Sequence, residues 1–171
     1  MLFQDDFSSN TSGWLNDSKC SYGADGYHVA DAYICYAPTG ATSDSIVSAD
    51  IKQTAGDITW FYGIVFRRAS KGNFYELFID SDGKWEFNKV VNNTRTHLLP
   101  YVPAAAIHTG LNASNTVTAR AIGSHFEFFV NGTQVGQFDD STFSSGRCGL
   151  ASAGDGQVQI VATHFSLALP N

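Results

Sequence analysis

Residues 73–90 read NFYELFIDSDGKWEFNKV, and their alternation decides the fold. Tyr75, Leu77, Ile79, Trp85 and Phe87 make one apolar set, and Glu76, Phe78, Glu86 and Asn88 make a second, mostly polar one. Period-two alternation about an Asp-Gly pair reads as a β-hairpin. Its register follows from the faces. A two-residue Asp82-Gly83 turn would set Ile79 opposite Glu86 and mix the sets. A three-residue Ser81-Asp82-Gly83 loop sets Asp80 opposite Lys84, Ile79 opposite Trp85, Leu77 opposite Phe87, Phe78 opposite Glu86 and Glu76 opposite Asn88. Directly opposed residues share a face, so only this register leaves one face apolar. It also puts Gly83 at the left-handed position of a type I turn with a G1 bulge.

The neighbouring stretches extend the division. In ITWFYGIVFRR (58–68), Ile64 and Phe66 take the core side, so Gly63, Val65 and Arg67 point away. Pairing Phe66 near Tyr75 sets Arg67 diagonal to Glu76. In HFEFFVN (125–131), Phe126, Phe128 and Val130 face in, and His125, Glu127 and Phe129 face out. The outer surface then collects Arg67, Glu76, Phe78, Glu86, Asn88 and Phe129. Asn131-Gly132 is the strongest short hairpin signal, because both turn residues need positive φ. About a dozen short strands with frequent turns predict an all-β sandwich or barrel. Residues 102–110 (VPAAAIHTG) are the best candidate for a short helix. Segments 38–45, 68–72, 92–114 and 139–146 read as loops long enough to carry a site. No linker or repeat divides the chain, so residues 1–171 form one domain.

Composition narrows the function. The chain is 43% hydrophobic, too apolar for disorder. Its net charge is −6 with no Lys/Arg cluster in sequence, which excludes a nucleic-acid or anionic-membrane surface. No apolar run approaches the roughly 20 residues needed to cross a bilayer, so direct membrane insertion is not expected. MLFQDDFSSN lacks the basic and apolar regions of a signal peptide. The chain therefore reads either as cytoplasmic or as a mature or excised domain.

Cys20 and Cys35 flank the turn ADGYH and are placed on neighbouring antiparallel strands. They form either a disulfide or two buried thiols; Cys148 reads as a buried small hydrophobe. The five histidines show no metal-binding spacing, and neither CxxC nor any nucleophile or phosphate-binding motif occurs. No metal site and no catalytic residue is assigned.

The stretches DDFSSNTSGW, GYHV, YGIVFRRASKGNFYELFIDSDGKWEF and FFVNGTQVGQFDDSTFSSGRCGL, with the final strand, resemble the concanavalin A-like lectin/glucanase superfamily. Within it they look most like laminin-G-like bacterial domains, many of them extracytoplasmic parts of membrane-anchored kinases. The 3-keto-disaccharide hydrolase family is more distantly similar. The resemblance covers nearly the whole chain and implies a two-sheet antiparallel jelly roll. It implies a Cys20–Cys35 disulfide and an extracellular or extracytoplasmic location. It also implies that carbohydrate is held on a concave sheet or at loops along one edge. Relatives often end in an acidic strand where this chain reads ATHFSL. That leaves Asp5 and Asp6 as the only candidates for a structural calcium, and two carboxylates alone make a poor site.

The leading expectation is a non-catalytic carbohydrate-binding module. Arg67, Glu76, Glu86 and Asn88 would chelate hydroxyls, Phe78 would serve as a platform, and Trp60, Tyr62, Tyr101 and Trp14 would add rim aromatics. The simpler alternative makes Arg67–Glu76 an ordinary cross-strand ion pair and places the tryptophans in the core. A second expectation is a glycoside hydrolase using Glu76 and Glu86, whose separation suits either stereochemical outcome, although the ExDxxE strand of the related glucanases is absent. A third is a protein-interaction or sensor ectodomain binding an extracellular protein through its rim loops.

Overall fold

The computed structural model describes residues 1–171. All its regular structure is β, in two antiparallel sheets. The first sheet contains β1 (Phe3–Asp5), β2 (Cys20–Gly23), β3 (Gly26–Ala30), β5 (Ser45–Ala55), β10 (Asn115–Ile122), β11 (His125–Val130), β12 (Thr133–Asp139) and β14 (Gln159–Ala168). Its order is β12-β11-β10-β5-β14-β3-β2, with β1 also paired to β14. The second contains β4 (Ile34–Tyr36), β6 (Tyr62–Ser70), β7 (Asn73–Ile79), β8 (Lys84–Val91), β9 (Thr94–Pro103) and β13 (Arg147–Ser152). Its order is β4-β13-β6-β7-β8-β9.

The β7–β8 register is the one the faces demand, from Ile79 opposite Trp85 to Glu76 opposite Asn88. Gly83 closes the three-residue loop at φ +98°. The inward aromatics of this hairpin and of β6 meet those of β11. Phe126 packs edge-on against Phe66, Tyr75 and Phe87, and Phe87 lies 4.4 Å from Phe128 between ring centroids. A second aromatic group, Phe3, Phe7, Trp14, Tyr27 and Phe165, closes the β1 end. Trp14 and Trp85 are thus core residues.

Three expectations are corrected here. Residues 104–107 make a single turn, Ile107 N–H to Ala104 C=O, and no helix. Residues 94–103, read as part of a loop, are strand β9. Asn92 and Asn93 take φ +50° and +64° and build the two-residue turn that joins it to β8. Cys20 and Cys35 are bonded, but they do not lie on neighbouring strands. Cys20 is on β2 and Cys35 on β4, the edge strands of opposite sheets, so the bond staples the sandwich shut along one side. Cys148 is free and buried, and burial pushes its thiol up to about 11, leaving it unreactive.

The segment after β12 is tied to the second sheet through Asp140. Its carboxylate accepts from the Tyr75 hydroxyl, from Lys89 Nζ at 2.7 Å and from the Thr142 amide at 2.9 Å. Burial opposes the charge, but these donors outweigh it and bring Asp140 down to about 2. A folded value below the unfolded one of about 3.9 means stability that is present above pH ~4 and lost as pH falls toward 2. Asp140→Asn is expected to cost about 2 kcal/mol at neutral pH and to flatten the urea midpoint between pH ~4 and ~2. Separately, Cys20→Ser/Cys35→Ser should lower stability by about 3 kcal/mol, given a 15-residue separation, and a denaturant titration would measure it.

Candidate functional site

The outer face of the six-stranded sheet is not an ordinary solvated surface. One row of opposed residues crosses all six strands: Tyr36, Gly149, Val65, Glu76, Asn88 and His97. Beside it run Ile34, Ala151, Gly63, Phe78 and Glu86. In the middle strands the residues are small. A Cβ on Gly63 would lie 2.2 Å from the Leu77 carbonyl oxygen, and one on Gly149 2.3 Å from that of Cys35, so backbone contact enforces glycine at both places. The floor is therefore low between Tyr36 and Ile34 on one side and Phe78 and Glu76 on the other.

Glu76 and Glu86 sit beside this floor, and both are buried. Buried carboxylates need donors, and each has them. Arg95 grips Glu76 with a fork, Nε to Oε2 at 2.8 Å and Nη2 to Oε1 at 3.0 Å. The Asn88 amide donates to Glu76 Oε2 at 3.2 Å and to Glu86 Oε1 at 2.8 Å. With its nitrogen so committed, Asn88 turns its oxygen to His97 Nδ1 at 2.8 Å, and Glu86 Oε2 lies 3.1 Å from the same nitrogen. A carbonyl oxygen only accepts, so Nδ1 carries a proton, and in the uncharged ring Nε2 is then an acceptor. The Glu76 bond pushes the Arg95 guanidinium above its ordinary value. Arg95 is 44% exposed and His97 59%, so a buried, oriented network ends in two accessible polar heads.

Three clefts adjoin along β4 and β7. The first, of about 240 Å³, is lined by Glu76, Phe78, Arg95, Phe74, Ile34 and Ala151. The second, of about 390 Å³, shares Ile34 and Phe74 with it and adds Tyr33, Tyr36, Arg68 and Lys71. The third, of about 450 Å³, shares Tyr33, Ile34 and Tyr36 with the second and reaches Arg147 and Trp14. Together they form one groove along the sheet edge. On the β9 side, Tyr101 is exposed and packs edge-on against Phe61 at 5.0 Å.

Of the residues expected here, Glu76, Phe78, Glu86 and Asn88 share the face, and Phe78 is buried in its floor. Tyr101 is an exposed rim aromatic. Trp60 is half-buried against the main core and the Gly154 backbone, and Tyr62 lies wholly in the interior. Phe129 belongs to the outer side of the other sheet, opposite Thr118. Arg67 is the largest displacement. The β6–β7 pairing breaks after Phe66, and Arg67 takes φ +47°. This bulge turns its side chain into the sandwich. The guanidinium sits 5.0 Å over Phe126 and donates to the carbonyls of Ser43, Gly123 and Phe143. Arg95, on β9 rather than in a loop, takes the place expected for Arg67 at Glu76. Its signal was present: a two-residue Asn92-Asn93 turn sets Arg95 opposite Val90 and His97 opposite Asn88. Asp5 and Asp6 lie near His164, but no three His, Cys, Asp or Glu side chains are grouped as a metal would need. Asp5 is already engaged by the Phe7 amide and the Ser12 hydroxyl.

The fold is that of the concanavalin A-like lectins and glucanases, a jelly roll of two sheets. The chain superposes on a carbohydrate-binding module, CBM66 from Bacillus subtilis, with TM-score 0.77, 19% identity and coverage of 92% of this chain and 96% of that one. It superposes on a Bacillus licheniformis β-glucanase at TM-score 0.70 and 11% identity, covering 98% of both. Sheep galectin-11 matches at 0.57 and 15%, over 81% of this chain and 98% of that one. The GH43 protein BlXynB of Bacillus licheniformis matches over 98% of this chain but 39% of its own length, with TM-score 0.73 and 13% identity. No protein-family model matches the sequence, and no curated protein does.

Arg67→Ala removes three hydrogen bonds from a buried guanidinium to the carbonyls of Ser43, Gly123 and Phe143, each worth roughly 1.5–3 kcal/mol when one partner is charged. It is expected to cost at least about 3 kcal/mol in a urea titration. The milder Arg67→Lys, if it folds, should leave ligand binding at the Glu76 face unchanged.

Proposed function

We propose that this domain is a non-catalytic carbohydrate-binding module of an extracytoplasmic protein. One observation carries the reading: the buried Glu76–Asn88–Glu86 network holds two exposed polar heads, Arg95 and His97, and Arg95 lines an open groove. Sugars are bound by planar polar groups that chelate adjacent hydroxyls and by aromatic faces laid on C–H surfaces. Arg95 N–H groups and His97 Nε2 supply a donor and an acceptor side by side, and Tyr33 and Tyr101 supply exposed rings. Fixing polar groups before the ligand arrives lowers the cost of binding. The likeness to a carbohydrate-binding module and to a galectin supports the reading, and the disulfide supports an oxidising, extracytoplasmic setting.

One observation favours a second reading, a glycoside hydrolase. An amide nitrogen within 3.2 and 2.8 Å of both carboxylates keeps Glu76 and Glu86 within about 6 Å of one another, near the separation of a retaining pair. Against it, retaining chemistry needs one group able to hand over a proton. Glu76 is locked in a guanidinium fork, and Glu86 is covered by Asn88 and His97.

Calorimetric titration with plant and bacterial oligosaccharides, with products followed by chromatography, tests both readings. Arg95→Lys/His97→Gln, which keeps a cation and a donor beside the buried glutamates, should weaken binding about tenfold or more, whereas Arg95→Ala would also lower the Tm by stranding Glu76. Glu76→Gln should abolish product release if the second reading holds. Binding indifferent to the Arg95/His97 change would move the site off this face.

A further inference from the structure

Of the ten Lys and Arg side chains, six have a carboxylate within 4.0 Å. Arg68, Lys71 and Arg147 are three of the four that do not, and all three line the groove. Arg68 and Arg147 stand directly opposite each other across the β6–β13 pair. Like charges in that position repel and destabilise a sheet. Both are nonetheless held against one ring: Arg68 Cζ lies 4.3 Å from the Tyr36 centroid and Arg147 Cζ 5.6 Å. The ring's negative face offsets part of the repulsion. Neither guanidinium is used up by the protein. Arg147 donates Nη2 to the Ala37 carbonyl, and the Nε atoms of both arginines are buried without a partner. Lys71 beside them is exposed. A protein of net charge −6 thus keeps an unneutralised triple cation at one end of a groove whose other end carries Glu76 and Arg95.

We propose that Arg68, Arg147 and Lys71 form an anion subsite, and that the ligand of the groove is an acidic polysaccharide whose uronate carboxylate or sulfate ester docks there. This deepens the carbohydrate-binding reading and rests on it. Guanidinium groups held on an aromatic ring offer their terminal Nη donors to an incoming carboxylate or sulfate, whose oxygens take paired N–H donors. The opposed arginines, a liability in the empty sheet, become a matched pair once an anion lies between them. The contiguous clefts, sharing Ile34 and Phe74 in the middle, let one sugar sit at the anion subsite while a neighbouring residue of the same chain reaches Arg95.

The test is calorimetric titration of the intact domain with four probes: oligogalacturonate, its carboxyl-reduced counterpart, a sulfated galactan oligosaccharide and its desulfated counterpart. The expected result is that at least one anionic probe binds about tenfold or more tighter than its neutral counterpart. That margin should collapse in Arg68→Gln/Arg147→Gln and shrink as NaCl rises from about 0.05 to 0.5 M, as contacts between accessible charges do. Whichever anionic probe wins names the source of the charge. If the double variant does not fold, Lys71→Gln on the exposed side and the salt series on the unaltered domain serve instead. Equal binding of anionic and neutral probes, insensitive to salt, overturns the anion subsite and leaves the carbohydrate-binding reading standing. Absence of binding to all four probes and to the neutral plant and bacterial oligosaccharides overturns both.

Discussion

The β7–β8 register turns on the carboxylate of Asp80. It is wholly buried and accepts from the backbone amides of Asp82 at 3.0 Å and Lys84 at 2.8 Å, while its own amide donates to the Lys84 carbonyl. This pins the three-residue loop against the two-residue alternative. The grip is expensive: burial raises the Asp80 carboxyl's pKa, and its second oxygen has no partner. A one-residue slip would exchange the faces of the hairpin, sending Glu86 against Phe126 and Phe87 to the surface. The aromatic core between the sheets and the polar row outside them are two consequences of one register. Each excludes the slip, because neither a buried unpaired glutamate nor an exposed phenylalanine row has anything to offset it.

The outer row then faces a problem of its own. Small residues at Gly63, Gly149 and Ala151 lower the floor and leave Glu76 and Glu86 among apolar neighbours such as Val65 and Phe78. Two carboxylates cannot stay charged there unless donors converge on them. Asn88 serves both, Arg95 closes on one and His97 on the other. Such a network is rigid because each member holds its neighbour's orientation. Rigidity suits recognition of a fixed hydroxyl pattern and works against a proton shuttle, whose acid must change state during the reaction. The same geometry that brings the carboxylates near a retaining separation therefore fits the proposed binding role better than the hydrolytic one.

Alternation gave the two faces, the hairpin loop and the membership of Glu76, Phe78, Glu86 and Asn88, because period-two patterns report side-chain direction directly. Arg67 failed for a reason alternation cannot see: a bulge after Phe66 reverses the direction of the next side chain, and the sequence carries no mark of it. Arg95 and His97 were missed for a different reason. TRTHLL is a weak strand by composition, and the Asn92-Asn93 turn that fixes it lacks the glycine usual in such turns. The bond between Cys20 and Cys35 was readable as a pairing. The sheets it joins were not, because short sequence separation suggests adjacent strands whether or not the chain crosses the sandwich.

That crossing gives the disulfide a second consequence. β4 has only three residues, paired along one edge to β13, and strands so short and unpaired on one side fray. Yet its outward residue Ile34 lines all three clefts and Tyr36 two of them, and Tyr36 carries the two arginines. Cys35, between them, points inward to Cys20 on the far sheet. The bond therefore anchors the groove's wall at its midpoint from behind, where no side chain of the groove is spent on the task. Reduction would release the wall before it released the core, since Phe66, Tyr75, Phe87 and Phe126 hold the sandwich together without reference to β4. In this structure the covalent staple secures the groove's wall as well as the fold.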